Sequence, residues 1–141
     1  MIDLGEINHY GANLKRINLE RANLERTNLT GANLQEANLF MANLRGVNLQ
    51  GANLFMANLR GANFQGANLR GANLQGANLE GSDFEGVDLK GTDLQGANLE
   101  GARNLSFDQL SRVKTLYDTK LDKELLISLK EKYSTLFELP D

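Results

Sequence analysis

The chain has 141 residues and no cysteine, 23% of its residues are charged, and its net charge is −3. This length allows one domain, and the absence of cysteine excludes a disulfide framework and thiolate chemistry. The nearly balanced charge gives no strong signal for nucleic-acid binding. No apolar run is long enough to span a membrane, and no signal-peptide pattern begins the chain, so we expect a cytoplasmic protein without a membrane partner.

Most of the chain repeats a unit of five residues, here called a pentad, twenty times between residues 2 and 101. A clear copy is Gly71–Gln75. The central position, i, is Leu in 17 of the 20 pentads, the exceptions being His9, Phe64 and Phe84. Position i−2 is Ala in 12 pentads, position i−1 is Asn or Asp, and position i+2 is Gly in 13. Each pentad therefore offers two small or apolar positions to a core.

A period of five residues fits neither a helix nor a straight strand. On a helix it rotates successive leucines by about 140°, which leaves no buried stripe. On a straight strand an odd period sends successive apolar pairs to opposite faces. Both conflicts disappear if the chain turns a corner in every pentad, with a positive φ at i+2, where Gly is frequent. Four corners close a coil of 20 residues, which predicts an all-β solenoid of about five coils.

A coil of 20 residues also places residues twenty apart on top of each other in adjacent coils. Phe64 and Phe84 have this spacing and should stack.

The pentads also resemble those of a known family. Runs of Ala-Asn-Leu-x-Gly, such as Ala67–Gly71, resemble the pentapeptide-repeat family over about 100 residues of the chain. The resemblance implies a right-handed quadrilateral β-helix. The segment Ser106–Leu110 is similar to the C-terminal caps of cyanobacterial members of that family. The alternative to a cytoplasmic location is the periplasm or the thylakoid lumen, if a leader was removed from this protein.

The composition changes after the last pentad, which predicts two parts. Residues 1–102 should form the β-helix, and residues 103–141 should form a small α-helical cap of two helices that packs on the last coil. Such a cap would cover the apolar interior and the unpaired strand edge at that end of the solenoid.

Both helices of the predicted cap have start signals. Ser106 and Gln109 have capping-box spacing and predict a first helix near residues 107 to 117. Asp122 is the predicted N-cap of the second helix, in which leucines recur at helical spacing.

The first two coils contain few corner glycines. In their place, position i+2 carries six larger residues, so the turns there are expected to differ from those of later coils: Glu6, Arg16, Arg21, Arg26, Glu36 and Met41.

Two copies of Phe-Met-Ala-Asn-Leu-Arg provide the candidate partner-binding residues. Phe40 and Phe55 occupy position i+1, and Met41 and Met56 occupy position i+2, so all four should face outward at corners. The copies are 15 residues apart, which places them one face and one coil apart in a single diagonal patch. We call these four residues the corner patch. Apolar residues clustered on a surface favour a partner site, although a harmless duplication would give the same pattern.

The fifth coil is the acidic part of the repeat. Its candidate acidic patch contains Glu80, Asp83, Glu85, Asp88, Asp93 and Glu100. The three aspartates are spaced by five and should lie on successive sides of the coil, so they are not expected to converge on a metal ion.

The first coil differs from the others at its core positions. Its i−2 residues include Ile2, Ile7 and Ile17, and His9 stands where a core Leu is expected. Two interpretations stay open. This end forms a homodimer with a second copy, or the larger residues and His9 close this end of the solenoid in contact with solvent.

The residues favour a binding protein over an enzyme. One His, no Cys and a filled rod offer no concave catalytic site, metal site or cofactor site. We expect a rigid scaffold that binds a protein through the corner patch. The resemblance implies an alternative, because some pentapeptide-repeat proteins imitate DNA and bind DNA gyrase, but residues 2–101 carry 11 acidic and 8 basic side chains, too few net charges for a mimic. Ice binding by the Asn-bearing faces is a weaker alternative.

Overall fold

The structure is a computed structural model that describes residues 2–141. Isolated parallel bridges join residues twenty apart, from Asp3↔Asn23 to Asp83↔Arg103, and a bridge recurs every five residues. Since four pentads separate bridge partners, the chain winds as a four-sided β-helix. The stacking predicted for the two central aromatics is confirmed, because the ring centroids of Phe64 and Phe84 are 5.4 Å apart.

Each pentad is tied to the next coil by backbone hydrogen bonds. In one pentad, Leu24 N donates to Asn43 O at 2.8 Å and Arg26 N donates to Arg45 O at 2.8 Å. Asn43 N donates back to Ala22 O at 2.9 Å. Positions i and i−2 point inward, and from the second coil onward they are buried, mostly as stacked Leu and Ala. The repeat thus satisfies its backbone and buries its apolar positions at the same time.

The corners have the same backbone conformation throughout the repeat. A bond such as that from Ala32 N to Leu29 O, at 3.0 Å, closes each turn except the first. Position i+2 has φ 66° at Gly31, and φ is also positive at Arg26 (56°) and Glu6 (60°). The expectation that the first two coils turn differently is therefore wrong. The ladder between coils holds these larger residues in the left-handed region that Gly adopts without strain.

The Asn or Asp at position i−1 supports every corner. In each of the twenty pentads its Oδ1 accepts a hydrogen bond from the backbone N–H two residues later, as Asn33 does from Gln35 at 3.0 Å and Asp83 does from Glu85 at 3.0 Å. An amide and a carboxylate both supply this oxygen, which explains why both residue types occur at this position.

The helices lie in the last third of the chain. Helix α1 is Phe107–Ser111, helix α2 is Lys123–Lys132, and a 3₁₀ helix follows at Ser134–Phe137. The capping box of Ser106 and Gln109 is confirmed. The predicted first helix is too long, because α1 ends at Ser111 instead of near residue 117.

The β-helix resumes after α1. Asp93 pairs with Thr115 and Asn98 pairs with Lys120, with a spacing of 22 residues. Asp118 has φ 58°, and Leu116 O accepts the N–H of Thr119 at 3.1 Å, as in an ordinary corner. The division at residues 102 and 103 stays a prediction, and the ladder continues beyond it.

Helix α2 and the 3₁₀ helix pack against the resumed ladder. Leu129 is fully buried in the same core as the stacked leucines. Leu116 N donates to Leu136 O at 2.7 Å, which ties the 3₁₀ helix to the ladder. Asp122 precedes α2 as predicted, but its Oδ1 accepts from Gly101 N at 3.1 Å and does not cap the helix. None of the helices in residues 2–141 has the length and apolar character needed to cross a membrane.

Candidate protein-binding surfaces

The corner patch lies on both sides of one face of the β-helix. The bridge Asn38↔Asn58 marks this face. Phe40 and Met41 follow Asn38 at the corner where the chain leaves the face. Phe55 and Met56 precede Asn58 at the corner where the chain enters the same face one coil later. The 20-residue register thus places the two Phe-Met pairs at opposite edges of a single face, one coil apart.

The four side chains differ in exposure. Met41 is 46% exposed and Met56 is 53% exposed, whereas Phe40 and Phe55 are half-buried. The expectation that all four face outward therefore needs a correction for the two aromatic residues. Both aromatic residues occupy position i+1. The binding role of the patch stays a prediction.

Neighbouring coils support the patch from both directions. Met41 lies over Gly61 and Met56 lies over Gly76, and a Cβ built on either glycine would collide with the Met Sδ. The guanidinium of Arg21 lies 5.6 Å from the ring centroid of Phe40, a distance suited to a cation–π contact. The methionines therefore fill space that only glycine leaves free.

The six residues of the predicted acidic patch do not form one surface. Asp83, Asp88 and Asp93 pair with Asn63, Asn68 and Asn73 on three successive faces. Five of the six have a polar or cationic partner, and only Glu100 has none among residues 2–141. The partners are Arg60 for Glu80, Asn104 for Asp83, Gln65 for Glu85, Arg70 for Asp88, and Gln75 and Lys114 for Asp93.

Hydrogen bonds favour the charged form of two of these aspartates. The side-chain hydrogen bond from Asn104 lowers the pKa of Asp83, against the effect of burial. The backbone N–H of Lys90, followed by Arg70, lowers the pKa of Asp88. Their contribution to stability is therefore present at neutral pH and is lost only as the pH falls through these lowered values.

The first coil exposes its apolar side chains. Ile2 is 45% exposed, Ile7 is 44% exposed and Tyr10 is 71% exposed. His9 is half-buried, and its Nε2 atom is buried without a hydrogen-bond partner. A homodimer through this coil stays a prediction.

Within residues 2–141, no group of three or more His, Asp or Glu side chains is placed to hold a metal ion.

Comparison with known proteins identifies the repeat. The family described as "Pentapeptide repeats" matches residues 10–46, 42–81 and 67–103. The fold of this family is a right-handed quadrilateral β-helix, in agreement with the ladder described above. A search of curated proteins found no match.

Several solved structures are similar to the chain. Rfr23, a pentapeptide repeat protein from the cyanobacterium Cyanothece 51142, is 36% identical over 78% of this chain and 64% of its own length, with a TM-score of 0.51. The protein alr5209 from Nostoc Pcc 7120 is 31% identical over 82% of this chain and 84% of its own, with a TM-score of 0.50. HetL from Nostoc sp. strain PCC 7120 is 33% identical over 72% and 65%, with a TM-score of 0.30. The chain thus spans less than two thirds of the length of Rfr23 and HetL.

Proposed function

Because the chain belongs to the pentapeptide-repeat family, we propose that it is a non-enzymatic scaffold that binds a protein partner through the corner patch. One observation carries the proposal. Met41 and Met56 are about half exposed at two corners of one face, where the other pentads place polar residues, glycine or, at Tyr10, a single aromatic.

The stiffness of the scaffold supports this mechanism. We propose five coils over residues 2–101, closed at the C-terminal end by residues 103–141. The hydrogen bonds between coils and the continuous core fix the patch before a partner arrives. A preorganised surface loses little conformational entropy on binding, so a few apolar anchors are enough for a specific contact.

The chemistry of the patch suits a protein partner. Methionine is flexible and polarisable, and it adapts to the shape of an apolar surface. Phe40 and Phe55, half-buried beside Met41 and Met56, add aromatic area of the kind that is enriched at interface centres. Opposite charges are paired beside both methionines, since Arg16 lies 3.2 Å from Glu36 at the corner of Met56 and Arg60 lies 3.9 Å from Glu80 at the corner of Met41. The partner is therefore expected to present an apolar surface and not a strongly charged one.

The gyrase alternative gains no support from the charge distribution. A DNA mimic needs dense negative charge along the rod. The aspartates of the fifth coil lie on three different faces, and cations approach them, including Arg70 at 3.1 Å from Asp88. Ice binding by the Asn faces is also disfavoured, because the Asn Oδ1 atoms already accept backbone hydrogen bonds, as at Asn33.

The test is affinity capture from lysate of the native organism with the wild type and with Met41→Gln/Met56→Gln. These two side chains are exposed, so the variant keeps the half-buried phenylalanines and should fold. We expect at least one protein that the wild type captures and the variant loses.

A matched control changes two residues at a corner that holds no residue of the patch. Arg26→Gln/Arg45→Gln alters the same number of exposed corner residues, and this variant should retain the partner. Equal capture by the wild type and the methionine variant would reject the corner patch as the binding site.

A further inference from the structure

The first coil has one edge that no other part of residues 2–141 covers. In the later coils, the backbone N–H at position i−1 donates to the coil before it, as Asn23 N does to Ile2 O at 2.8 Å. The carbonyl oxygen of the same residue accepts from that coil, as Asn23 O does from Leu4 N at 2.8 Å. The four equivalent residues of the first coil have no bonds of this kind within residues 2–141, and all four are exposed, whereas their counterparts in the second coil are half-buried. We call them the N-terminal edge: Asp3, Asn8, Asn13 and Asn18.

The hydrogen-bonding groups of this edge match a second copy of the same edge. On each face, one residue presents both its N–H and its C=O away from the second coil, just as Asn23 presents both groups to the first coil. Two residues of this kind exchange two hydrogen bonds when their strands run antiparallel. A two-fold axis perpendicular to the solenoid makes the strands of two first coils antiparallel and pairs all four faces at once.

The apolar interior is exposed at the same end of the β-helix. Ile2 is 45% exposed and Ile7 is 44% exposed, although both occupy inward positions. At the opposite end, the buried Leu129 of α2 packs into the core, and the 3₁₀ helix is bonded to the ladder through Leu136 O. A head-to-tail stack of two copies would meet these helices instead of an open coil. The surface that matches the first coil is therefore another first coil.

The side chains at the corners decide how two such coils are aligned. Corner side chains in adjacent coils reach each other, as Arg26 and Glu6 do at 3.3 Å. A coil with four sides allows four two-fold alignments, which differ in the residues that they place opposite each other. Like charges placed directly opposite each other destabilise an antiparallel pair.

Three of the four alignments oppose like charges. With the axis through the faces of Asp3 and Asn13, Asp3 opposes Asp3 of the second copy. With the axis through the faces of Asn8 and Asn18, Lys15 opposes Arg21 of the second copy. With the axis through the corner between Asp3 and Asn8, Lys15 opposes its own neighbour, the residue at position 16, which is also basic.

The fourth alignment opposes only unlike charges. Its axis passes through the corner between Asn8 and Asn13. Glu6 then faces Lys15 of the second copy. Glu20 faces the basic residue at position 21 in the same way.

The inward side chains also fit this alignment. His9 faces Ala12 of the second copy, and Ala12 is the smallest inward residue of the first coil. The other inward pairs join two large apolar residues, as Ile7 does with Leu14. The pairing thus covers the exposed isoleucines and leaves room for the imidazole ring.

We propose that the protein forms a head-to-head dimer in which the N-terminal edges of two copies pair antiparallel in the fourth alignment. Asn8 pairs with Asn13 of the second copy, and Asp3 pairs with Asn18. The two rods extend in opposite directions from the interface. The interface contains no residue of the corner patch, so this proposal does not depend on the proposed function.

Sedimentation velocity of the 141-residue chain tests the dimer. Between about 1 and about 100 µM protein, we expect an equilibrium of monomer and dimer in the wild type and equally in Met41→Gln/Met56→Gln. A monomer over the whole range, or assemblies larger than a dimer, overturns the proposal. Loss of the dimer in the methionine variant also overturns it, because the corner patch would then be the interface.

A charge reversal tests the alignment. Lys15 is exposed, so Lys15→Glu should fold, but it places two carboxylates opposite each other at both symmetry-related contacts with Glu6. The dissociation constant of the dimer should rise about tenfold. The double variant Glu6→Lys/Lys15→Glu restores opposite charges and should restore most of the affinity. Lys90→Glu makes the same change at the same repeat position of the fifth coil, and it should leave the dimer unchanged.

The other alignments predict different results for Lys15→Glu. The two alignments that oppose Lys15 to a basic residue predict a tighter dimer. The alignment that opposes Asp3 to itself places Lys15 opposite Gly11 and predicts no change. An unchanged or tighter dimer in Lys15→Glu therefore overturns the proposed pairing.

Discussion

At the residue scale, two positions of the pentad determine the corner. The Oδ1 atom at i−1 accepts the N–H of residue i+1, and residue i+2 takes a positive φ. The first requirement is met in all twenty pentads by Asn or Asp. The second is met by Gly in thirteen and by larger residues in seven, which remain strained in this region. Replacing the larger residue with Gly at such a corner should therefore stabilise the protein.

We expect Arg26→Gly to stabilise the protein by about 0.5–1 kcal/mol. The substitution removes the strain of a side chain at φ 56°, and part of the gain is offset by the greater freedom of Gly in the unfolded chain. The ion pairs of Arg26 with Glu6 and Glu25 are exposed and contribute little. Urea unfolding measures the change.

The control is Arg45→Gly, at position i+1 of a later corner. Its φ is outside the left-handed region, so glycine there brings only added freedom of the unfolded chain and should destabilise by about 0.5–1 kcal/mol. Opposite signs for the two variants are the expected result. A loss of stability in Arg26→Gly as large as that in Arg45→Gly would contradict the argument.

The residue pattern correctly predicted which positions point inward, but it wrongly predicted that the turns of the first two coils differ from later ones. Positions i and i−2 are inside because no other arrangement buries them every five residues. The uniform conformation at Arg26 and Gly31 did not follow from local preference. It follows from hydrogen bonds to the coils on both sides, which a reading of one corner at a time does not include.

At the element scale, α2 connects the C-terminal segment to the core. Leu129 is fully buried, whereas Ile127 on the same helix is 49% exposed. Leu129→Ala should destabilise by about 2–5 kcal/mol, because it leaves a cavity in the core. Ile127→Ala should stay within about 0.5 kcal/mol of the wild type. Thermal unfolding of the two variants compares them, and equal effects would show that α2 does not pack as described.

The C-terminal segment shows where periodicity is ambiguous. Leu110, Val113, Leu116 and Tyr117 fit a helical spacing, which led to a predicted helix six residues too long. Leu116 and Leu121 are five residues apart, with Thr119 at position i−2. That spacing was the signal that the β-helix resumes, and the Thr119 hydroxyl donates to Leu94 O at 2.6 Å in the manner of Thr92 toward Leu69 in the repeat. Two pentads are too few to outweigh a helical pattern when read alone.

At the scale of the whole molecule, the register decides which residues form a surface. It places the two Phe-Met pairs of the corner patch at the two edges of one face, as the 15-residue spacing predicted. It separates the three aspartates of the fifth coil onto different faces. The end of the bridges at Asp88 was not predicted, because the pentads around Asp88 do not depart from the repeat.

The placement of the corner patch depends on the 20-residue register, and the absence of cysteine allows a direct measurement of this register. In the variant Gln50→Cys/Arg70→Cys, the new residues occupy equivalent corners of adjacent coils, about 5 Å apart, which is within disulfide range. In Gln50→Cys/Gln75→Cys they lie at different corners. Mild oxidation should close a disulfide in the first variant and leave the second reduced, as judged by mass spectrometry and gel mobility. A disulfide in the second variant and none in the first would contradict the register, and with it the placement of the corner patch.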